Sequence, residues 1–234
     1  MNFKEKKILV VVAHPDDELL GLGATIHKLI NEKNCEVRVI ILGEGITSRS
    51  DERNPEKWKQ ELKLHRKNIE DARKEIGYGS VGIYDFPDNR FDTVALLDII
   101  KIIEKEKEKF KPEIIFTHHG GDLNIDHQKT FEAVMTATRP MEEELVKTII
   151  TFETRSGTEW IASSDPRKFT PNLFIEISED NLKAKIKGME SYEFEKRKYP
   201  HPRSPEALNI LSQQRGLIVG KKYAEAFSIV RTIS

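Results

Sequence analysis

Cysteine is almost absent from these 234 residues, with Cys35 standing alone. That excludes a disulfide framework and any paired-cysteine metal knuckle, so a metal site here must be built from histidine and carboxylates. Long hydrophobic runs are lacking too. The apolar stretch Ile8 to Ala13 is too short for a signal peptide or a membrane span, which points to a cytoplasmic protein with no membrane partner. Charge of one sign is also missing. Thirty-eight Lys and Arg against 39 Asp and Glu leave a formal net charge of -1, so no basic field recruits nucleic acid or anionic lipid. Internal repeats, low-complexity tracts and Pro/Gly-rich linkers do not occur. The chain therefore reads as a single domain over 1–234, long enough to bury a full core.

What is present is alternation. Ile8–Ala13 (ILVVVA) and Val37–Leu42 (VRVIIL) are β-branched runs, predicting strands buried on both faces. Between them, Leu19, Leu22, Ile26, Leu29 and Ile30 recur at helical spacing over 18–31. Further helices are expected over 55–76, stopped by Gly77, and over 93–110, 126–138, 182–198 and 205–217. Strands are expected over 81–86, 114–117, 146–152 and 173–177. The pattern predicts an α/β, Rossmann-like three-layer fold with a mostly parallel central sheet. Right-handed crossovers then gather the loops that follow the strands along one edge.

Two polar clusters fall on that edge. The first strand closes with Ala13-His14-Pro15-Asp16-Asp17-Glu18, and the strand 114–117 runs into His118-His119-Gly120-Gly121-Asp122-Leu123-Asn124-Ile125-Asp126-His127. Imidazoles with a carboxylate make a borderline-soft donor set that suits Zn2+ with an open position, and other divalent transition metals also accept it. Plainer readings exist for each piece. Asp-Asp-Glu ahead of a helix favours the helix dipole, and Asp126 suits an N-cap. Gly21 and Gly23 resemble a fragment of a dinucleotide fingerprint, but they lie inside the helix and behind acids. Close helix–sheet packing is the better account of them.

Ala-His-Pro-Asp-Asp-Glu at the end of a first strand resembles the signature of the PIG-L/LmbE-like family of zinc-dependent N-acetyl-sugar deacetylases. Asn124-Ile125-Asp126-His127 is similar to the family's second motif. Ala72…Ile76-Gly77 and Tyr223-Ala224-Glu225-Ala226-Phe227 extend the likeness over most of the chain. The resemblance implies His14, Asp17 and His127 as metal ligands, Asp16 as general base, and a substrate that is an N-acetylhexosamine or a conjugate of one. Family relatives are often oligomeric, which makes a homo-oligomer compatible with the resemblance, although no coiled-coil heptad is present here. Two departures stand out. Asn124 takes the place where the family often has a histidine, and His65, beside Arg66, takes the place of a substrate-binding arginine.

Around that set, Asn124, His118, His119 and His201 are candidates to assist at the oxyanion, and Asp126 to orient an imidazole or the base. Arg49 and Arg90 sit in loops leaving the ligand edge and suit a phosphorylated or nucleotide-linked sugar, their alternative being loop salt bridges. His201-Pro202-Arg203 is a candidate flap, and Trp58 and Trp160 are candidate stacking surfaces. The leading expectation is an amide hydrolase that releases acetate. The alternatives are an esterase or phosphoesterase on the same scaffold, or a sugar- or nucleotide-binding protein without turnover.

Overall fold

A strand that is apolar at every position needs cover on both faces. β1 (Lys7–Val12) has it: Ile8, Val10 and Val12 enter one core cluster, and Leu9, Val11 and Ala13 enter the other. The computed structural model describes residues 2–234. After β1 the chain runs through α1 (Asp17–Lys33), β2 (Glu36–Gly43), α2 (Lys59–Ile76), β3 (Ser80–Phe86), α3 (Leu96–Phe110), β4 (Ile114–His118) and α4 (Ile125–Ala137). It continues with β5 (Thr148–Phe152), β6 (Leu173–Glu176), α5 (Glu179–Glu190), α6 (Pro205–Ile218) and β7 (Ala224–Thr232).

The strands form a seven-stranded sheet in the order β3-β2-β1-β4-β5-β7-β6. β1 to β5 pair in parallel, and β7 runs antiparallel to both β5 and β6. The predicted three-layer, mostly parallel fold is therefore what the chain adopts. One face of the sheet packs on Leu19 and Ile26 of α1, Ile69 and Ala72 of α2, Met189 of α5 and Leu208 of α6. The other packs on Ile99 and Ile103 of α3 with Ala133 and Val134 of α4. Each aliphatic side chain fully buried this way stabilises the fold by about 1.5–3 kcal/mol before entropy is counted.

Gly21 explains how α1 lies so close to the sheet. A Cβ there would fall 2.2 Å from the ring of Phe152 on β5, and the helix bends at Leu22 (φ -153°) beside it. Gly77 ends α2 at φ 92°, as expected of a left-handed C-cap.

Two stretches depart from the sequence reading. β7 was not expected as a strand. A carboxylate, Glu225, interrupts its apolar pattern, yet Glu225 is buried and accepts from Lys185 Nζ (2.6 Å) and from the Thr25 backbone N–H (2.7 Å). The helix expected over 182–198 stops at Glu190. Beyond it the chain forms an irregular loop towards Pro200 and Pro202, residues that cannot continue a helix. That loop matters below. Strand order reverses between β1 and β4, so the loops after these two strands open a crevice at the sheet's carboxyl edge, the usual ligand position in such folds.

Candidate metal centre and active site

β1 leaves the sheet through a tight turn. Asp16 takes φ 97°, ψ -25°, a left-handed conformation that costs a non-glycine residue on the order of 1 kcal/mol or more. The turn is held by the Asp16 carbonyl, which accepts from the N–H groups of Leu19 (3.0 Å) and Leu20 (2.9 Å). It aims adjacent carboxylates in different directions: Asp17 into the crevice floor and Asp16 into its wall.

On the floor, His14 Nδ1 and His127 Nε2 each stand 3.4 Å from Asp17 Oδ2. The three donor atoms lie within 4.8 Å of one another, and the residues are 9%, 3% and 1% exposed. Atoms bound ~2.0–2.2 Å from one tetrahedral centre are separated by roughly 3.4 Å. The spacing thus suits donors sharing a cation better than donors bonded to each other. These residues fit a divalent metal on geometry and on chemistry alike.

Behind the ligands, backing carboxylates set the ring orientations. His14 Nε2 lies 2.8 Å from Asp126 Oδ2. Asp126 also accepts from the backbone N–H groups of Asn89 (2.6 Å) and Phe91 (2.8 Å), so it ties β1 to the loop after β3. With Nε2 as the donor to Asp126, His14 Nδ1 is left with a lone pair facing the crevice. Burial opposes a charge on His14, but the bonds to Asp126 and Asp17 outweigh it and raise its pKa well above the ordinary value. Asp122 Oδ1 sits 3.1 Å from His127 Nδ1, close enough to bias that ring, though not aligned as a hydrogen bond.

In the wall, Asp16 Oδ2 accepts from Arg203 Nη1 at 2.8 Å. Burial pushes the Asp16 carboxyl well above the usual carboxylate range, and the Arg203 guanidinium pulls it back. Arg203 also donates to Ser156 Oγ (2.6 Å) and Glu195 Oε2 (2.8 Å). The floor and wall enclose a cavity of about 290 Å3.

The other expected site residues divide. Asn124 lines the cavity, but its side chain caps α4 by accepting from the Asp126 N–H (2.8 Å) and donates to Asn89 Oδ1 (2.9 Å). His201 lines it at the rim, edge-on to Trp160 with ring centroids 6.1 Å apart. Arg49 lines it as well, already paired with Glu195 (2.5 Å). His118, expected to meet substrate, does not. It is 0% exposed, accepts from the Ala13 N–H (2.9 Å), bonds Thr154 Oγ1 (3.0 Å) and stacks on His127 at 3.9 Å. Burial and neighbouring His127 lower its pKa to about 4, so it is a neutral wedge behind the ligand. Arg90 is outside the cavity, donating to the Asp51 carbonyl (3.2 Å), and His119 turns to the Arg167 carbonyl (2.6 Å). Trp58 bonds Ser50 Oγ (2.9 Å) away from the cavity, while Trp160 is half-exposed on its rim. His65 is buried among Tyr192 and Phe194 and lines a neighbouring cleft instead.

Asp88 and Glu195 are among the cavity residues that the sequence reading did not single out. Asp88 Oδ1 approaches His14 Nε2 (3.4 Å) while its Oδ2 accepts from the Ser48 hydroxyl (2.6 Å). Glu195 lies where a helix was expected, and the prolines at 200 and 202 were the available signal that the chain loops there.

Residues 9–138, over half the chain, match the family described as PIG-L: GlcNAc-PI de-N-acetylase. The chain belongs to that family. Among its relatives is the diacetylchitobiose deacetylase of Thermococcus kodakarensis, 26% identical across 96% of this chain and 83% of that protein. Among solved structures, the N,N'-diacetylchitobiose deacetylase of Pyrococcus horikoshii, bound to its inhibitor MPG, matches with a TM-score of 0.75 at 17% identity, covering 97% of this chain and 84% of that one. GalB, the 4-carboxy-2-hydroxymuconate hydratase of Pseudomonas putida, matches equally well at TM-score 0.75 and 20% identity over 98% of both chains. The architecture is therefore shared by enzymes of different reaction types, and the reaction must be argued from the site.

Proposed function

We propose that this protein is a zinc-dependent N-deacetylase, a single domain over 1–234 that releases acetate from an N-acetylhexosamine or a short oligosaccharide carrying one. The observation that carries the reading is the joint placement of His14, Asp17 and His127 on one floor with Asp16, outside that ligand set, in the wall beside them. Membership of a de-N-acetylase family and the likeness to a diacetylchitobiose deacetylase support it.

Held by His14, Asp17 and His127, a zinc ion would supply Lewis acidity, lowering the pKa of water towards ~7 and polarising an acyl oxygen. Asp16 accepts the proton of the attacking water and returns it to the amine that leaves. Arg203 fixes the rotamer of Asp16 and favours its ionised form, partly offsetting the burial that raises its pKa. Asp126 holds the His14 ring, Asp122 biases that of His127, and Asn124 presents the start of α4 from which His127 projects. Trp160 and His201 form a rim able to cover a sugar ring. Among the described residues no helix is long and apolar enough to cross a membrane.

The test is acetate release from N-acetylglucosamine and diacetylchitobiose by protein stripped of metal and reloaded with zinc. Release that needs the metal is expected. Absence of acetate from every N-acetyl sugar, together with turnover of an ester or a phosphoester, would replace this reading with the alternative.

A further inference from the structure

Three arginines reach the cavity, Arg49, Arg197 and Arg203, and a single carboxylate faces all of them. Glu195 is 6% exposed. Its Oε1 accepts from Arg49 Nη2 at 2.5 Å, its Oε2 accepts from Arg203 Nη1 at 2.8 Å, and Arg197 Nη2 stands 3.7 Å from Oε2. Part of the remaining guanidinium capacity is committed as well. Arg49 donates to the Phe194 carbonyl (3.0 Å), Arg203 to Asp16 and Ser156, and Arg197 to the carbonyls of Phe194 and Lys196.

A phosphate or carboxylate on the substrate would look for these groups. It would find its own chemical equivalent already seated, contributed by the loop between α5 and α6. To bind, it would have to turn Glu195 out of its pairs and leave a buried carboxylate without a partner, which costs more than the new contact returns. Nor does an excess of positive charge remain in the wall to offset this. Asp16, Asp17, Asp88 and Glu195 line the cavity against the three arginines.

We propose that Glu195 is a specificity-determining residue: an internal anion that reserves this cavity for uncharged sugars and turns away phosphorylated, nucleotide-linked or carboxylate-bearing ones. The expectation of an anionic substrate required Arg49 and Arg90 to face it freely. Arg90 lies outside the cavity and Arg49 is occupied. The proposal deepens the deacetylase reading and rests on it.

The experiment compares zinc-loaded wild type with Glu195→Gln on N-acetylglucosamine and its 6-phosphate, by kcat/KM for acetate release. Calorimetric binding of glucosamine and glucosamine 6-phosphate runs alongside. Wild type should favour the neutral member of each pair by about tenfold or more. Glu195→Gln should shrink that preference about tenfold, and Arg49→Met added to it should restore the preference by removing the freed cation. Glu195→Asp keeps the charge and should keep the rejection. Equal handling of both members by wild type overturns the proposal without any variant. So does a Glu195→Gln enzyme that weakens on both sugars alike with its ratio unchanged. If no N-acetyl sugar releases acetate the deacetylase reading fails, and the binding ratios still decide the role of Glu195.

Discussion

Residues 9–138 and residues 139–234 supply different things to the same cavity. The first stretch carries His14, Asp16, Asp17, Asp126 and His127, at the ends of parallel strands and the starts of the helices that follow. The second carries Trp160, at the end of a single 3-10 turn, and Glu195, His201 and Arg203 in irregular chain between α5 and α6. Ligand groups sit on rigid, fully packed backbone, where a small misplacement would be felt at once. Wall groups sit on loops, where a change of sequence alters what fits without disturbing the floor.

The sharpest way to break the comparison is at Asp16. Asp16→Asn should lower kcat on the order of 10²-fold or more while metal content, read by elemental analysis, stays at the wild-type level. His127→Ala should instead lose the metal. Retention of near-normal kcat in Asp16→Asn at saturating metal, or full occupancy in His127→Ala, would remove the first stretch from its assigned role.

The seam between the stretches can be tested by pH. His65 on α2 lies against Tyr192 and Phe194 of the second stretch, with both ring nitrogens lacking a hydrogen-bond partner. Burial lowers its pKa to about 4. The unfolded chain, with an ordinary histidine, binds the proton first, so stability is full above about pH 6.5 and falls as pH drops towards 4. The shift corresponds to about 3 kcal/mol. In denaturant unfolding of metal-free protein, wild type should lose more stability between pH 7 and pH 4 than His65→Gln, by that order. Parallel losses in the two proteins would mean that His65 is solvated and the seam open.

A smaller effect is expected at Asp126. It touches no substrate in this scheme but holds His14 at 2.8 Å and two backbone N–H groups of the loop after β3. Asp126→Asn should weaken zinc affinity about 10- to 100-fold, measured by chelator competition, with kcat recovering at high zinc. A kcat that stays low at saturating zinc would instead assign Asp126 to the reaction itself.

How much of this was legible follows the same divide. Apolar runs such as ILVVVA announce their strands because hydrophobic burial is written residue by residue, and Ala13-His14-Pro15-Asp16-Asp17 is contiguous because one strand end makes half the floor. β7 was hidden because Glu225 looks like a surface residue until Lys185, 40 positions away, is seen to pair with it. His118 looked like a ligand-edge group because its neighbours are. Only the packing that places Ala13 and Thr154 around its ring turns it inward. Glu195 depends on Arg49, 146 positions away, as well as on Arg197 and Arg203 of its own loop, a relation that exists only after folding.

The smallest expected effect lies at Arg90. It belongs to the first stretch by sequence and to neither part of the site by geometry. It follows β3 on the ligand edge, one residue after Asn89, whose side chain accepts from Asn124 Nδ2 at the cavity. Its guanidinium nevertheless turns away and donates to the Asp51 carbonyl at 3.2 Å, across the exposed loop that follows β2. Such a contact is solvated, so its loss should change stability by no more than about 0.5 kcal/mol. Arg90→Ala should keep kcat/KM within roughly twofold of wild type on neutral and on phosphorylated sugars alike. Arg49→Ala, by contrast, leaves Glu195 short of one partner in the wall and should be the more damaging of the pair. A loss of tenfold or more in Arg90→Ala, confined to phosphorylated sugars, would show that this loop swings inward on binding. The wall would then include a mobile contributor from the first stretch beside Arg49 and Asp88.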